Sequence, residues 1–234
     1  MKYKGIIFDL DGTLWDSTNE ICTTWSQVLL QYPEIKTTIT VESLYGCMGL
    51  QMEEIAARLF PLLDKEMQLK LLQECCDLEN IYLAEHGGTL YPQLEDTIAK
   101  LAQSHELFIV SNCQDGYIQS FFKAHKLEKY FVDFESAGKT GLSKGENNKL
   151  IIERNHLGSA IYVGDTLGDA NSAIDANIPF IYARYGFGNV DKYDYVIDHF
   201  SELLNINIWG IPYTGYWGLR WKITVFLVKL WYTN

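Results

Sequence analysis

The chain has 234 residues, enough for one good-sized domain or for a core domain with a smaller one beside it. Hydrophobic residues make up 47% and charged residues 21%, a balance that excludes a disordered chain. A formal net charge of −11 argues against nucleic acid as a partner, because phosphate backbones require a basic face.

Ile6-Ile7-Phe8 opens the chain as a buried strand and runs into Asp9-Leu10-Asp11-Gly12-Thr13. A parallel strand that stops in two acids and a glycine turn places both carboxylates at the sheet's carboxyl edge, where open α/β sheets bind ligands. Two carboxylates so close repel each other unless a cation or a proton is shared. Residues 16–31 have helical spacing, with Ile21, Trp25, Val28 and Leu29 on one face and Asp16 and Ser17 as candidate caps. Pro33 and a threonine-rich stretch break this pattern, and 41–46, 52–63 and 65–83 are further helices with no strand among them. Residues 16–86 therefore form an all-helical insertion, and His86-Gly87-Gly88 marks the return.

Strands and helices alternate from there. Helices are predicted over 94–104, 117–125, 147–155 and 168–176, and strands over 107–111, 130–135, 160–164, 179–183 and 193–197. Such alternation implies a parallel sheet wrapped by helices. From residue 205 the composition shifts: the tail holds four of the six tryptophans, and its longest apolar run, 223–228, is too short to span a bilayer. No role is assigned to it: packing on the core, on a membrane surface or on a partner are open, and the abrupt shift in composition also fits a stretch that is not native coding sequence. The five cysteines show neither zinc nor disulfide spacing and suggest reduced thiols; the N-terminus lacks the apolar length of a signal peptide. The expected location is cytoplasmic.

Four segments end in polar groups suited to one site. They are Asp9 and Asp11 after the first strand, Ser111-Asn112 after 107–110, Lys144 in a glycine-flanked segment, and Gly164-Asp165 with Asp169 four residues on. This order, DxDGT, S, K and GDxxxD, resembles the haloacid dehalogenase-like superfamily of hydrolases. Within it, the chain resembles the members with a helical cap inserted after the first strand, such as phosphoglycolate phosphatase-like enzymes. The resemblance covers about 1–204 and implies an α/β fold: a three-layer Rossmann-like parallel-sheet core (1–15 and 87–204) with an all-helical cap (16–86) inserted, leaving 205–234 outside.

The resemblance implies Asp9 as nucleophile and Asp11 as the acid that protonates the leaving oxygen and then activates water. It implies a Mg2+ cofactor held by Asp9, the Leu10 carbonyl and Asp165, with Asp11 and Asp169 completing the acidic set. Asp169 would hold a water on the metal or orient Lys144; stabilising a helix N-terminus is its other reading. Ser111 and the Asn112 amide would donate to the phosphoryl oxygens, Lys144 would neutralise charge there, and Thr13 would close the turn beside them. Ser111 also suits a plain helix cap, and Lys139 rivals Lys144. Residues 46–50 form the cap loop expected over the site, with hinges near Asp16 and at residues 86–88.

Dehalogenases and phosphonate-cleaving members lack the second aspartate, and mutases resembling β-phosphoglucomutase carry a histidine at the position of Ile21. The expected activity is therefore hydrolysis of a small phosphate monoester through an aspartyl-phosphate. The partner would be a small phosphorylated metabolite, with no nucleic acid and no membrane insertion, and the protein a monomer or weak homodimer. A phosphosugar mutase and a non-catalytic interaction protein using the tail are the alternatives.

Overall fold

A computed structural model describes residues 3–206, so the tail beyond Ile206, with every reading placed on it, lies outside the described residues. The elements run in chain order as β1 (Gly5–Phe8), β2 (Trp15–Asp16), α1 (Thr18–Leu29), α2 (Val41–Tyr45), α3 (Met52–Leu59) and α4 (Lys65–His86). They continue with β3 (Thr89–Leu90), α5 (Leu94–Leu101), β4 (Glu106–Ser111), α6 (Tyr117–His125), β5 (Phe131–Ser136) and α7 (Ala137–Thr140). The last are α8 (Lys144–Arg154), β6 (Ala160–Gly164), α9 (Leu167–Asp175), β7 (Phe180–Ala183) and β8 (Tyr195–Ile197).

Six strands form one parallel sheet in the order β5-β4-β1-β6-β7-β8. Every residue of β1 is buried, because helices cover both faces of this central strand. Ile6 and Phe8 point into one apolar cluster with Ile98 of α5 and Phe121 of α6. Ile7 points the opposite way, toward Ile151 of α8 and Ala170 and Ala173 of α9. That period-two alternation makes the three layers. The chain builds outward through β4 and β5, then returns to start again with β6 on the other side of β1. The carboxyl end of β1 is thus the point where strand order reverses, with β4 and β6 as its flanks.

Helices α1 to α4 bury a separate apolar cluster of their own, including Trp25, Leu44, Phe60 and Leu71. Their junction with the sheet contains a feature absent from the sequence reading. Trp15 and Asp16 pair antiparallel with Leu90 and Thr89, so the outgoing and returning chains are tied by a short ribbon. Trp15 is fully buried against Tyr117, Phe121 and His125. Gly88 is required here, since a Cβ would press on the Asp16 carbonyl and on Ser17.

Several boundaries differ for local reasons. Helix α3 stops at Leu59, short of residue 63, because Pro61 disfavours helical backbone at Phe60. Helix α8 starts at Lys144, three residues earlier than predicted, because Ser143 and Glu146 form a reciprocal capping box. At α1, the cap is supplied by Asp16, whose Oδ1 accepts from the Thr18 amide and hydroxyl, while the Ser17 hydroxyl is used elsewhere.

Candidate active site

Asp9 follows directly on β1, Ser111 ends β4 and Asp165 follows directly on β6, so parallel register alone brings these three side chains to one edge. Lys144 and Asp169 arrive from the first turns of α8 and α9. Lys144 Nζ lies 2.7 Å from Asp169 Oδ1 and 3.0 Å from Asp9 Oδ1, and all three side chains are buried. Burial opposes the lysine's charge, but the two carboxylates outweigh it and raise its pKa above the ordinary value. The rival Lys139 is half-exposed and pairs with Glu135 at 3.3 Å, away from this cluster.

Asp169 makes two kinds of contact. Its Oδ2 accepts from the Thr166 amide and hydroxyl, at 2.9 and 2.7 Å, as part of the α9 cap, and its Oδ1 receives Lys144. Burial pushes its pKa up, yet Lys144 and these donors prevail and hold it below the ordinary value. Asp9 is different. Its Oδ1 faces Lys144 off the hydrogen-bonding direction and is buried without a directed donor. Burial, reinforced by Asp169, pushes its pKa up to about 7. Burial and the neighbouring Asp169 and Asp9 also raise Asp165 well above the carboxylate range.

Oxygen atoms of Asp9, Asp165 and Asp169 lie within 4.8 Å of one another, with one lysine among them. Three carboxyl groups share one lysine, and the Asp9 oxygen facing that lysine has no directed donor. The donor set is all oxygen. It fits a hard divalent cation.

The structure puts three of the sequence candidates in different company. The Leu10 carbonyl accepts the amides of Thr13, Leu14 and Trp15, at 3.3, 2.8 and 3.3 Å, and is therefore used within the turn. The Thr13 side chain is fully buried and its hydroxyl donates to Asp165 Oδ1 at 3.2 Å, which positions that carboxylate. The Asp11 carboxylate stands apart from the three-carboxylate cluster: its Oδ1 accepts from Ser17 at 2.8 Å and Tyr117 at 2.7 Å. Burial raises the Asp11 pKa, and the two hydroxyls partly offset it.

Tyr117, Ser17, Gly186 and Glu79 were not assigned to the site from sequence. The first two hydroxyls approach each other to 2.6 Å and hold Asp11 between α6 and the start of α1. Gly186 packs against Asp165 and the Gly12 carbonyl, where any Cβ would collide, and the Phe187 amide donates to Asp165 Oδ2 at 2.8 Å. The signal available was the glycine alternation in Tyr185-Gly186-Phe187-Gly188. Asn112 donates through Nδ2 to the Gly49 carbonyl at 2.9 Å, so the 46–50 loop sits directly over the β4 end.

Two expected results follow from these contacts. Tyr117→Phe removes a donor to ionised Asp11, so the Asp11 pKa rises further. The Asp11 carboxyl, followed by NMR, should titrate at higher pH than in wild type. Glu79, buried on α4, accepts from the Trp25 indole N–H and from Gln114 Nε2, and burial pushes its pKa from 4.5 up to about 8. The folded state therefore binds a proton that the unfolded state releases between these values, and stability falls as pH rises across that window. Denaturant titrations should show Glu79→Gln more stable than wild type at pH 8.5 by about 1–3 kcal/mol, with the advantage vanishing below pH 4.5.

A family model described as haloacid dehalogenase-like hydrolase matches residues 6–183. The chain belongs to this family. Among curated relatives of this hydrolase, a phosphoglycolate phosphatase of Photobacterium profundum is 26% identical over 87% of this chain and 95% of the relative. Among solved structures, a putative haloacid dehalogenase-like hydrolase from Bacteroides fragilis is 26% identical, with a TM-score of 0.75 over 86% of this chain and all of its own. A predicted phosphoglycolate phosphatase from Haemophilus somnus, at 21% identity and a TM-score of 0.76 over 88% of this chain and 98% of its own, shares the fold. The haloacid dehalogenase-like hydrolase described here is an enzyme of the phosphatase type, acting on phosphate monoesters. Among its described residues no helix is long and apolar enough to cross a membrane.

Proposed function

We propose that this hydrolase cleaves a small phosphate monoester in two steps, with Mg2+ as its cofactor. The observation that carries the reading is the buried Asp9 carboxylate, held at the β1 end by Lys144 with one oxygen lacking a directed donor. Asp9 attacks phosphorus; a bond forms between its carboxylate oxygen and phosphorus as the ester bond breaks. Asp11, raised toward its protonated form by burial, gives its proton to the departing alcohol oxygen. It then takes a proton from the water that attacks the aspartyl-phosphate, and phosphate leaves as Asp9 is regenerated. Lys144 and Ser111 meet the charge on the equatorial oxygens, with the Asn112 amide beside them.

Asp9 and Asp165 would hold Mg2+, with Asp169 behind them anchoring Lys144. When bound, the cation supplies positive charge next to the transferring phosphoryl group. We place the helical cap at 16–86 and the core at 1–15 and 87–204, with the 46–50 loop covering the site and the β2–β3 ribbon at the hinge. Hydrolysis is favoured over mutase chemistry because Ile21, not a basic group, faces the cavity from α1. A generic aryl phosphate should be turned over only with Mg2+ present. Turnover of equal rate after exhaustive chelation would remove the cation from this reading.

A further inference from the structure

Between the helices of the cap and the strand ends lies a cavity of about 70 Å³ that contains Asp9, Asp11, Ser111 and Lys144 on its core side. The alcohol half of an ester held at these core groups would lie against the cap side of this cavity. The cap wall is apolar, formed by Ile21, Trp25, Leu44, Met48, Met52 and Ile55, with a single ionisable carboxyl, Glu79. Glu79 Oε1 is held by Gln114 and Oε2 by Trp25, which fixes the carboxyl in place at the cavity wall.

No cation comes from the cap. Of the five basic side chains between 16 and 86, Lys36 bonds the Pro33 carbonyl, Lys65 pairs with Glu53 and Lys70 with Glu74. His86 stacks on Tyr82, and Arg58 is exposed, against Gly46 and outside the lining. Among the described residues, the one cation that lines the cavity, Lys144, is already paired with Asp9 and Asp169. An anionic alcohol half would bury a further negative charge beside the transferring phosphate, with no unpaired cation among the described residues of the lining.

Resting on the phosphatase reading, we infer that this cavity selects phosphate esters of small alcohols without negative charge, carrying a hydroxyl or amino group that hydrogen-bonds Glu79. The alcohol half bears neither a carboxylate nor a second phosphate. This departs from the ester named for the curated relatives, since glycolate is itself an anion.

Three esters of matched size test it on the wild-type protein with Mg2+: 2-hydroxyethyl phosphate (neutral), phosphoethanolamine (cationic) and phosphoglycolate (anionic), beside an aryl phosphate control. At least one of the first two should exceed phosphoglycolate in kcat/KM by about tenfold or more. The hydroxyl and amine arms identify which group meets Glu79. Above pH 8, where Glu79 is ionised, Glu79→Gln should narrow the preference over the anion, and this ratio is read within one protein. Aryl phosphate turnover with phosphoglycolate equal to or better than both others overturns the selection alone. Absence of aryl phosphate turnover, together with no turnover of any of the three, overturns the phosphatase reading and this inference with it.

Discussion

Asp9→Asn is expected to lower kcat for a generic aryl phosphate by about 10⁴-fold or more, because it removes the atom that forms the covalent intermediate. The same substitution should not weaken the fold. Burial and Asp169 make ionised Asp9 costly, and Lys144 offsets only part of that. Its pKa is raised from 3.8 to about 7, so in metal-free buffer the native carboxylate penalises stability as pH rises through that value. Asparagine carries no such penalty. Metal-free Asp9→Asn should melt at or above the wild-type temperature at pH 8, while Mg2+ should stabilise it less than it stabilises wild type. An inactive variant that is also well folded separates lost chemistry from lost structure. Turnover within tenfold of wild type would end the aspartyl-phosphate mechanism.

Lys144→Ala carries the largest expected effect on stability. Lys144 is buried between Asp9 and Asp169 and is the cation nearest both, at 3.0 and 2.7 Å. Its removal leaves buried carboxylates uncompensated, a change worth about 3–5 kcal/mol. For a chain of this size that corresponds to a melting temperature lower by about 10 °C in metal-free buffer. Mg2+ should recover part of the loss, because it supplies positive charge to the same carboxylates. Lys139→Ala is the contrasting variant. That lysine is 47% exposed, and Arg154 also pairs with its partner Glu135. Its loss should cost less than about 1 kcal/mol. Equal effects of the two substitutions, by thermal melting, would show that the buried triad is not what holds this edge of the sheet together.

The two lysines also mark how far a sequence goes. Both sit in polar segments a few residues apart, and only the family register preferred Lys144. The structural reason is a capping box at Ser143 and Glu146 that starts α8 on Lys144 and turns its side chain inward. The strand ends needed less. Asp9, Ser111 and Asp165 each follow a short apolar run, and a parallel sheet with β1 at its centre brings such ends together whatever the loops do. The alternation of strands and helices and the helical insertion were legible for the same reason, since periodicity is local.

What the sequence could not determine were contacts made between distant segments. The Leu10 carbonyl is drawn into its own turn by three amides, and the Thr13 hydroxyl is taken by Asp165, 152 residues away. Tyr117 reaches Asp11 across 106 residues, and no spacing rule links them. Glu79 resembles any other acid on a helix until Trp25 and Gln114 enclose it at the cavity wall. By itself, the sequence determined the order of elements and the residues at the strand ends, because apolar period and turn chemistry act over a few positions. Only the tertiary structure decided which polar groups pair, because burial forces each to find a partner and packing alone determines which are within reach.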